Sequence, residues 1–379
     1  MKIKNIELKS FSSSFGRTKS LGSSKSLKII SLVKVITDNK EIGYGEIYLG
    51  IYVPPELIKS ILDIIKKFLL NKNISKLIEN KFFPHIPFVS RNGMFNSIYS
   101  GVDIALWDIY SKIKKKPLHQ CISNLNNNYK IYSSGGMIKD KVSDLIHDIN
   151  LASDLKHSGF KIRAGYFSWN SDMKKILIAK KMTEEKNMSL MVDMIMGTIN
   201  PPLKFKDYKK KTKFLEKMKL KWIEEPFHPD DIESFKKLKN LKKIIVASGE
   251  ALNGKLEYDN YIKNKLVNII QLDVTHCGGI TKAIEILELA KKRNLQVALH
   301  VWGSKIAQIA NSHLALAFEN VKWLECPIVE PEINKFIITK TKEKKHLAGQ
   351  DLDLGLGIQI NERLIKKKFR YVKNSEYKI

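Results

Sequence analysis

Hydrophobic residues in this chain follow two different rhythms, and the changeover falls about a third of the way along. Near the start, KIKNIELKSF and SLKIISLVKVIT read as strands joined by a Ser/Gly-rich loop, FSSSFGRTKSLGSSKS. The turn DNKEIG then leads into GYGEIYLG and completes a hairpin. Apolar positions three and four apart predict amphipathic helices in PELIKSILDIIKKFLL and NSIYSGVDIALWDIYSKI. From about Tyr129 short apolar strands alternate strictly with helices. The strands read as YKIYSSG, FKIRAG, SLMVDM, KWIEEP, IIVASGE, NIIQLDV, LQVALHV and KWLECP. Between them lie helical stretches such as SDLIHDINLASDLKHSG, with Gly159 as its stop, and GGITKAIEILELAKKRN. Eight strands with seven helices between them fit a closed (β/α) barrel better than an open doubly wound sheet, and no GxGxxG follows a first strand.

The 379 residues have room for a barrel of about 250 residues and a second domain of about 100. The expected division is an α+β domain over residues 1–125, the barrel over 126–335, and an irregular segment over 336–379 that returns to the first domain. Hydrophobic residues make up 43% of the chain, which excludes disorder and fibrous architecture. Cys121, Cys277 and Cys326 are odd in number and lack a CxxC, which argues for a reducing cytoplasm. The opening MKIKNIELKSF carries no signal-peptide pattern and no apolar run reaches 18 residues, so a soluble cytoplasmic protein without a membrane partner is expected. The net charge of +27 invites a nucleic-acid reading. The lysines, however, are scattered over nearly every helix and turn among many Ile and Asn, and no nucleic-acid-binding signature accompanies them. A solvated basic surface is the expectation, with a non-catalytic nucleic-acid-binding protein as the rival.

What changes the picture is where the ionisable residues fall. Lys161 and Arg163, Asp193, Glu224, Glu250, Asp273, His300 and Glu325 each stand at or near the carboxyl end of an expected strand. From Arg163 onward the spacings are 30, 31, 26, 23, 27 and 25 residues, against about 31 for one βα unit of a barrel. Such residues all face one opening, where barrel enzymes keep their active sites. A single carboxylate at a strand end is usually only solvated. Asp193, Glu224 and Glu250 come from three consecutive strands, and hard oxygen donors without Cys or His suit Mg²⁺. Asp273 and His300 lie on adjacent strands, where a carboxylate fixes the imidazole tautomer and raises its basicity. Lys161 and Arg163 are two apart on one strand, so both point into the same opening.

In this order and spacing, KxR, D, EEP, GE, QxDxxxxGGIT, H and E resemble the enolase superfamily, and within it the mandelate-racemase subgroup. GVDIALWDIYSKIKKKPLHQ is similar to the helix that joins cap to barrel in that family, and GYGE to its cap hairpin. The resemblance implies a (β/α)₇β modified TIM barrel with an α+β capping domain. It also implies Asp193, Glu224 and Glu250 as Mg²⁺ ligands, Asp273–His300 as a dyad, and Glu325 as an electrophile, and a cap loop and hairpin that close over the substrate. Three departures stand out. Arg163 replaces the second lysine that serves racemases as base, Ile195 replaces an Asn found in many members, and AGQDLDLGLGIQIN lacks the prolines common before GLG.

The implied reaction removes the proton α to a carboxylate, the charge that develops being stabilised by Mg²⁺, Lys161 and a protonated Glu325. Arg163 is always protonated and cannot be the base. His300 is favoured, with Lys161 as a second candidate if the neighbouring cation lowers its pKa. Dehydration of an aldonic or aldaric acid ranks first. Cycloisomerisation of an acid-sugar lactone ranks second, since HVWGS resembles members of that kind, and racemisation or epimerisation ranks third. The partner is then a small hydroxy-carboxylate or its lactone, bound by a homo-oligomer, with Arg17, Tyr44 and Trp302 as candidate substrate contacts.

Overall fold

The structure, a computed structural model, describes residues 1–14, 27–91, 93–135, 141–166, 168–241, 244–339 and 353–369. Arg17 lies outside the described residues. The amino-terminal part opens with an antiparallel sheet of β1 (Ile3–Ser14), β2 (Leu27–Thr37) and β3 (Ile42–Ile47). A 3₁₀ turn, Tyr48–Ile51, follows, and then α1 (Pro55–Leu69), α2 (Ile74–Glu79), α3 (Met94–Ile113) and α4 (Leu118–Ile122). The two glycines of GYGE let β3 lie directly on α3: a Cβ at Gly45 would come within 1.9 Å of the Gly101 carbonyl oxygen.

The barrel begins with β4 (Lys130–Ser134), α5 (Val142–Asp154), β5 (Gly159–Arg163) and α6 (Trp169–Glu185). It continues through β6 (Ser189–Asp193), α7 (Phe205–Lys217), β7 (Trp222–Glu224) and α8 (Ile232–Lys239). Next come β8 (Val246–Ser248), α9 (Lys255–Lys263), β9 (Ile269–Leu272) and α10 (Gly279–Lys292). The last units are β10 (Gln296–Leu299), α11 (Lys305–Ala317) and β11 (Val321–Pro327). All eight strands pair in parallel and the sheet closes between β11 and β4, as the alternation of strands and helices predicts. One correction concerns Gly159. Helix α5 stops earlier, at Asp154, with Lys156 in the left-handed region, and Gly159 opens β5, where a Cβ would strike the Met191 side chain.

The carboxyl-terminal part is less irregular than expected. A short hairpin, β12 (Ile337–Thr339) with β13 (Ile358–Ile360), precedes α12 (Glu362–Lys368). This segment lies on the amino-terminal part, where Leu356 N donates to Asp108 and Glu362 accepts from Lys9, Lys34 and the Tyr44 hydroxyl. No helix among the described residues is long and apolar enough to cross a membrane.

Inside the barrel, Tyr132, Met191, Trp222, Ala247, Ile269, Ala298 and Trp323 form a plug. Its rings meet edge to face, with Tyr132 and Trp222 at 5.2 Å and Trp222 and Trp323 at 5.7 Å between centroids. Because side chains alternate along a strand, the next inward positions, one step toward the carboxyl ends, stand on this apolar floor. Those positions include Asp193, Glu224, His300 and Glu325.

Candidate active site

The floor orients the acids above it through its polar tips: Trp222 Nε1 donates to Glu224 Oε2 at 3.0 Å, and the Tyr132 hydroxyl lies 3.4 Å from Glu325 Oε2. Lys161, fully buried on β5, reaches across to β7 and β11. Its ammonium pairs with Glu224, stands 2.9 Å from Glu325 Oε1, and lies 3.8 Å from Asp193 Oδ2. Burial opposes that charge, but Glu224 and Glu325 more than offset it and hold Lys161 well above its ordinary range. Lys161 is therefore a cation here. The expectation that a neighbouring positive charge would turn it into a base is not met, because acids dominate its surroundings.

Arg163 lies above this ion pair, its Nε 3.6 Å from Asp193 Oδ2 and its guanidinium carbon 4.6 Å from the centre of the Trp302 ring. Burial pushes Glu325 up, yet Lys161, His300 and Arg163 outweigh it and hold Glu325 at about 2. The protonated electrophile expected from the sequence is, in this state, an ionised carboxylate.

Asp273 and His300 form the expected dyad, with His300 Nδ1 3.0 Å from Asp273 Oδ2. Asp273 Oδ1 accepts from the Thr275 amide and hydroxyl at 2.9 and 2.7 Å, so the carboxylate has no freedom to rotate. The other ring nitrogen, Nε2, points into the opening, 3.5 Å from Glu250 and 3.8 Å from Glu325. Burial disfavours the imidazolium, but Glu250, Glu325 and Asp273 together raise His300 to about 9.

Across the opening stand Asp193, Glu224 and Glu250, joined by a fourth acid that sequence reasoning passed over. Glu225 follows Glu224, and alternation sends it outward toward the helices. Its φ of 40° turns the chain instead, and its buried side chain accepts from Gly197 N at 3.3 Å. These acids raise one another. Burial and then Glu224 lift Asp193 to about 6. Burial, Glu224 and Asp193 lift Glu250 to about 8 although His300 and Lys161 oppose them. Burial, Glu250, Asp193 and Glu224 hold Glu225 well above the usual carboxylate range. Glu250 Oε2 and Glu225 Oε1 are buried and accept no hydrogen bond. Crowded carboxylates with unpartnered oxygens fit a divalent cation. Among the described residues no three acidic, histidine or cysteine side chains already converge at chelating distance. A cation would have to take Glu224 from Lys161 and gather Asp193 and Glu250 with it.

Backbone strain accompanies these positions. Ile195, two residues after Asp193, sits at φ 47°, and its amide donates to Asp193 Oδ1 at 2.8 Å. An Asn tolerates that conformation far better than a β-branched residue, so the structure gives a backbone reason for Asn at this place. Gly249 has φ 136°, and a Cβ there would lie 2.2 Å from the Gln271 carbonyl oxygen, so only glycine can deliver Glu250 to the opening.

The cap contributes Tyr48. Its amide donates to the Thr275 carbonyl at 3.2 Å and its ring meets His300 edge-on at 6.0 Å, with Tyr52 behind it at 5.9 Å. Trp302 packs against Tyr48 and Val329. Tyr44, proposed from the same hairpin, is a correction. Its hydroxyl donates to Glu362 at 2.6 Å, beside Lys9 and Lys34, away from the mouth acids.

Residues 147–364 match the family model described as enolase C-terminal domain-like. The arabinonate dehydratase of Saccharolobus solfataricus is 25% identical over 345 residues, covering 89% of this chain and 90% of that protein. The D-galactarolactone cycloisomerase of Agrobacterium fabrum is 25% identical over 287 residues, 72% of this chain and 73% of that one. Among solved structures, an L-talarate/galactarate dehydratase variant liganded with Mg and L-glucarate superposes with a TM-score of 0.82 at 21% identity, covering 97% of this chain and 92% of its own.

Proposed function

Because the chain belongs to the enolase C-terminal domain-like family, we propose that it removes the proton α to a carboxylate with the help of Mg²⁺. The reaction we assign is dehydration of an aldonic or aldaric acid to a 2-keto-3-deoxy acid. The chain is an enzyme, a lyase or an isomerase, whose relatives act on acid sugars and their lactones. One observation carries the reading: Asp193, Glu224 and Glu250 face the Asp273–His300 dyad across one opening whose floor is apolar.

Asp193, Glu224 and Glu250 would hold the ion, which supplies Lewis acidity to a substrate carboxylate. Lys161 stands where a second positive charge stabilises the developing anion. Glu250 exerts the largest pull holding the proton on His300; as a ligand of the ion it would lose that pull, and the imidazole would be free to accept the α-proton. Asp273 keeps Nε2 as the accepting atom. His300, then protonated, is placed to return the proton to the β-hydroxyl, which leaves as water, and the resulting enol tautomerises to the keto acid. Arg163 cannot accept a proton, so only one face carries a base and racemisation ranks last.

Lactone cycloisomerisation is the second reading. It uses the same proton abstraction but expels a ring oxygen, and similarity to the D-galactarolactone cycloisomerase favours it. The basic surface is locally paired in places, as in Lys59–Asp63 and Lys255–Asp259, where a lysine meets an acid four residues away on the same helix. The deciding experiment incubates the protein with Mg²⁺ and a library of aldonates, aldarates and lactones, following keto-acid formation and lactone consumption. Absence of both, together with absence of α-deuterium exchange in D₂O, would overturn the reading.

A further inference from the structure

Strand β9 reads IIQL, and inward positions alternate with outward ones along it. Of the inward residues, Ile269 belongs to the apolar plug. Asp273, just past the strand, is committed to His300 and to the Thr275 amide and hydroxyl. Gln271 lies between them, fully buried, and neither polar atom of its side chain has a hydrogen-bond partner among the described residues. The neighbouring strands leave it room. Its partner in register on β10 is Ala298, and on the β8 side Gly249 lies against its backbone, so neither offers more than a methyl group.

A primary amide can donate two hydrogen bonds and accept two. Burying one with all of them unmade costs stability that a Met or Leu of similar size would not cost. Such a residue has a use where its partner comes within reach only in another state of the site. The strand order points to that partner. Glu250 follows β8 and His300 follows β10, and their 3.5 Å contact passes over β9, whose uncommitted inward side chain is Gln271. Of the three acids assigned to the ion, Asp193 accepts from the Ile195 amide, and Glu224 from Trp222 and Lys161. Glu250 Oε2 accepts no hydrogen bond.

We propose that Gln271 is a positioning residue for the ion: its amide N–H donates to the Glu250 carboxylate as that acid leaves His300, and keeps it gathered with Asp193 and Glu224. The inference rests on the assignment of those three acids to Mg²⁺. A neutral amide suits the task. A cationic side chain at this place would compete with the ion, and a further carboxylate would add to the repulsion among the acids. Hydrogen bonds to ligating carboxylates fix their orientation, and losing one weakens a metal site without removing a ligand.

Gln271→Met keeps the shape of the side chain and removes its hydrogen bonds. The melting temperature of the metal-free full chain should rise, because an unpartnered amide is no longer buried. Mg²⁺ titrated alone, followed by calorimetry, should bind about 10–100-fold more weakly than to the wild type. Gln271→Leu should behave likewise, which separates the effect from a packing fault peculiar to one side chain. A merely structural role gives the reverse pair, a lower melting temperature and an unchanged Mg²⁺ affinity, and would overturn the proposal. A melting temperature that falls in both variants also overturns it, since the amide would then be partnered before the ion arrives. Asp193→Ala is the reference. If it loses Mg²⁺ while both Gln271 variants bind as tightly as the wild type, this inference falls alone. If Asp193→Ala binds Mg²⁺ like the wild type, the ion site itself falls and this inference with it.

Discussion

Two groups of buried carboxylates in this molecule are treated in opposite ways. At the seam between cap and barrel two buried acids, Glu46 and Asp103, are met by donors. Glu46 of GYGE accepts from the Ser304 amide and hydroxyl and the Ala307 amide, closing the amino terminus of α11. Asp103 on α3 accepts from the Thr281 amide and hydroxyl at 2.8 and 2.7 Å, in the first turn of α10. At the barrel mouth, Glu250 and Glu225 keep oxygens that accept no hydrogen bond, and the acids around them outweigh the nearby cations. Acids with complete sets of partners hold the structure together. Acids left short are reserved for something that arrives, and until it does they cost stability.

The largest effect expected from breaking this contrast is on turnover. Removing Mg²⁺ with EDTA, or replacing Asp193 with Ala, should lower turnover about a thousandfold or more. Asp193→Ala should also lose the rise in melting temperature that Mg²⁺ gives the wild type. Full activity in either case would detach the carboxylate wall from the chemistry.

His300→Asn comes next. Turnover should fall by a factor of about 10²–10⁴, and α-deuterium exchange should vanish with it. Exchange at the wild-type rate would remove His300 as the abstracting base.

Stability should then move in opposite directions at the two regions. Glu46→Ala leaves the donors at the head of α11 without their acceptor and should cost about 3 kcal/mol, read by urea unfolding. Glu250→Gln relieves repulsion among acids and should stabilise the metal-free protein by about 1 kcal/mol, while abolishing activity. A loss of stability in both variants would erase the distinction.

The smallest effect is a slope. Glu250 is raised to about 8 in the folded chain from an unfolded value near 4.5, so the folded state holds more protons between those limits. Its contribution to stability is complete below about pH 4.5 and is lost as pH rises toward 8, by up to about 1.4 kcal/mol per pH unit. Melting of the metal-free protein across that range should show the decline, and saturating Mg²⁺ should flatten it.

How much of this was legible beforehand follows from which contacts are local. Strand ends recur at a regular interval, so Lys161, Asp193, Glu224, Glu250, Asp273, His300 and Glu325 could be found by counting, and the structure gathers them at one opening. Glu225 could not, since its inward direction depends on a left-handed backbone that alternation does not foresee. Tyr48 was hidden for a related reason. The chain leaves β3 at Ile47 and enters a 3₁₀ turn, and a hydrogen bond to Thr275, 227 residues away in sequence, sets the approach. Tyr44 looked equivalent in GYGEIY, yet its partner Glu362 comes from the far end of the chain. Gly159 resembled a helix stop because nothing local reveals the Met191 side chain packed above it.

The seam acids have a consequence for how the chain is made. Glu46 must wait for Ser304, 258 residues later, and Asp103 for Thr281, 178 residues later. At about 5–20 residues per second, the 258-residue interval lasts roughly 13–52 s for Glu46. Throughout it the cap has been synthesised, but the helix ends that complete it do not yet exist. A cap severed from its barrel would keep both carboxylates without their amides, so the two parts are expected to unfold as one and to resist being grafted separately. The nascent chain also spends that time with the face of its first sheet and α3 uncovered, a period in which assistance from a chaperone would matter more than at any later stage.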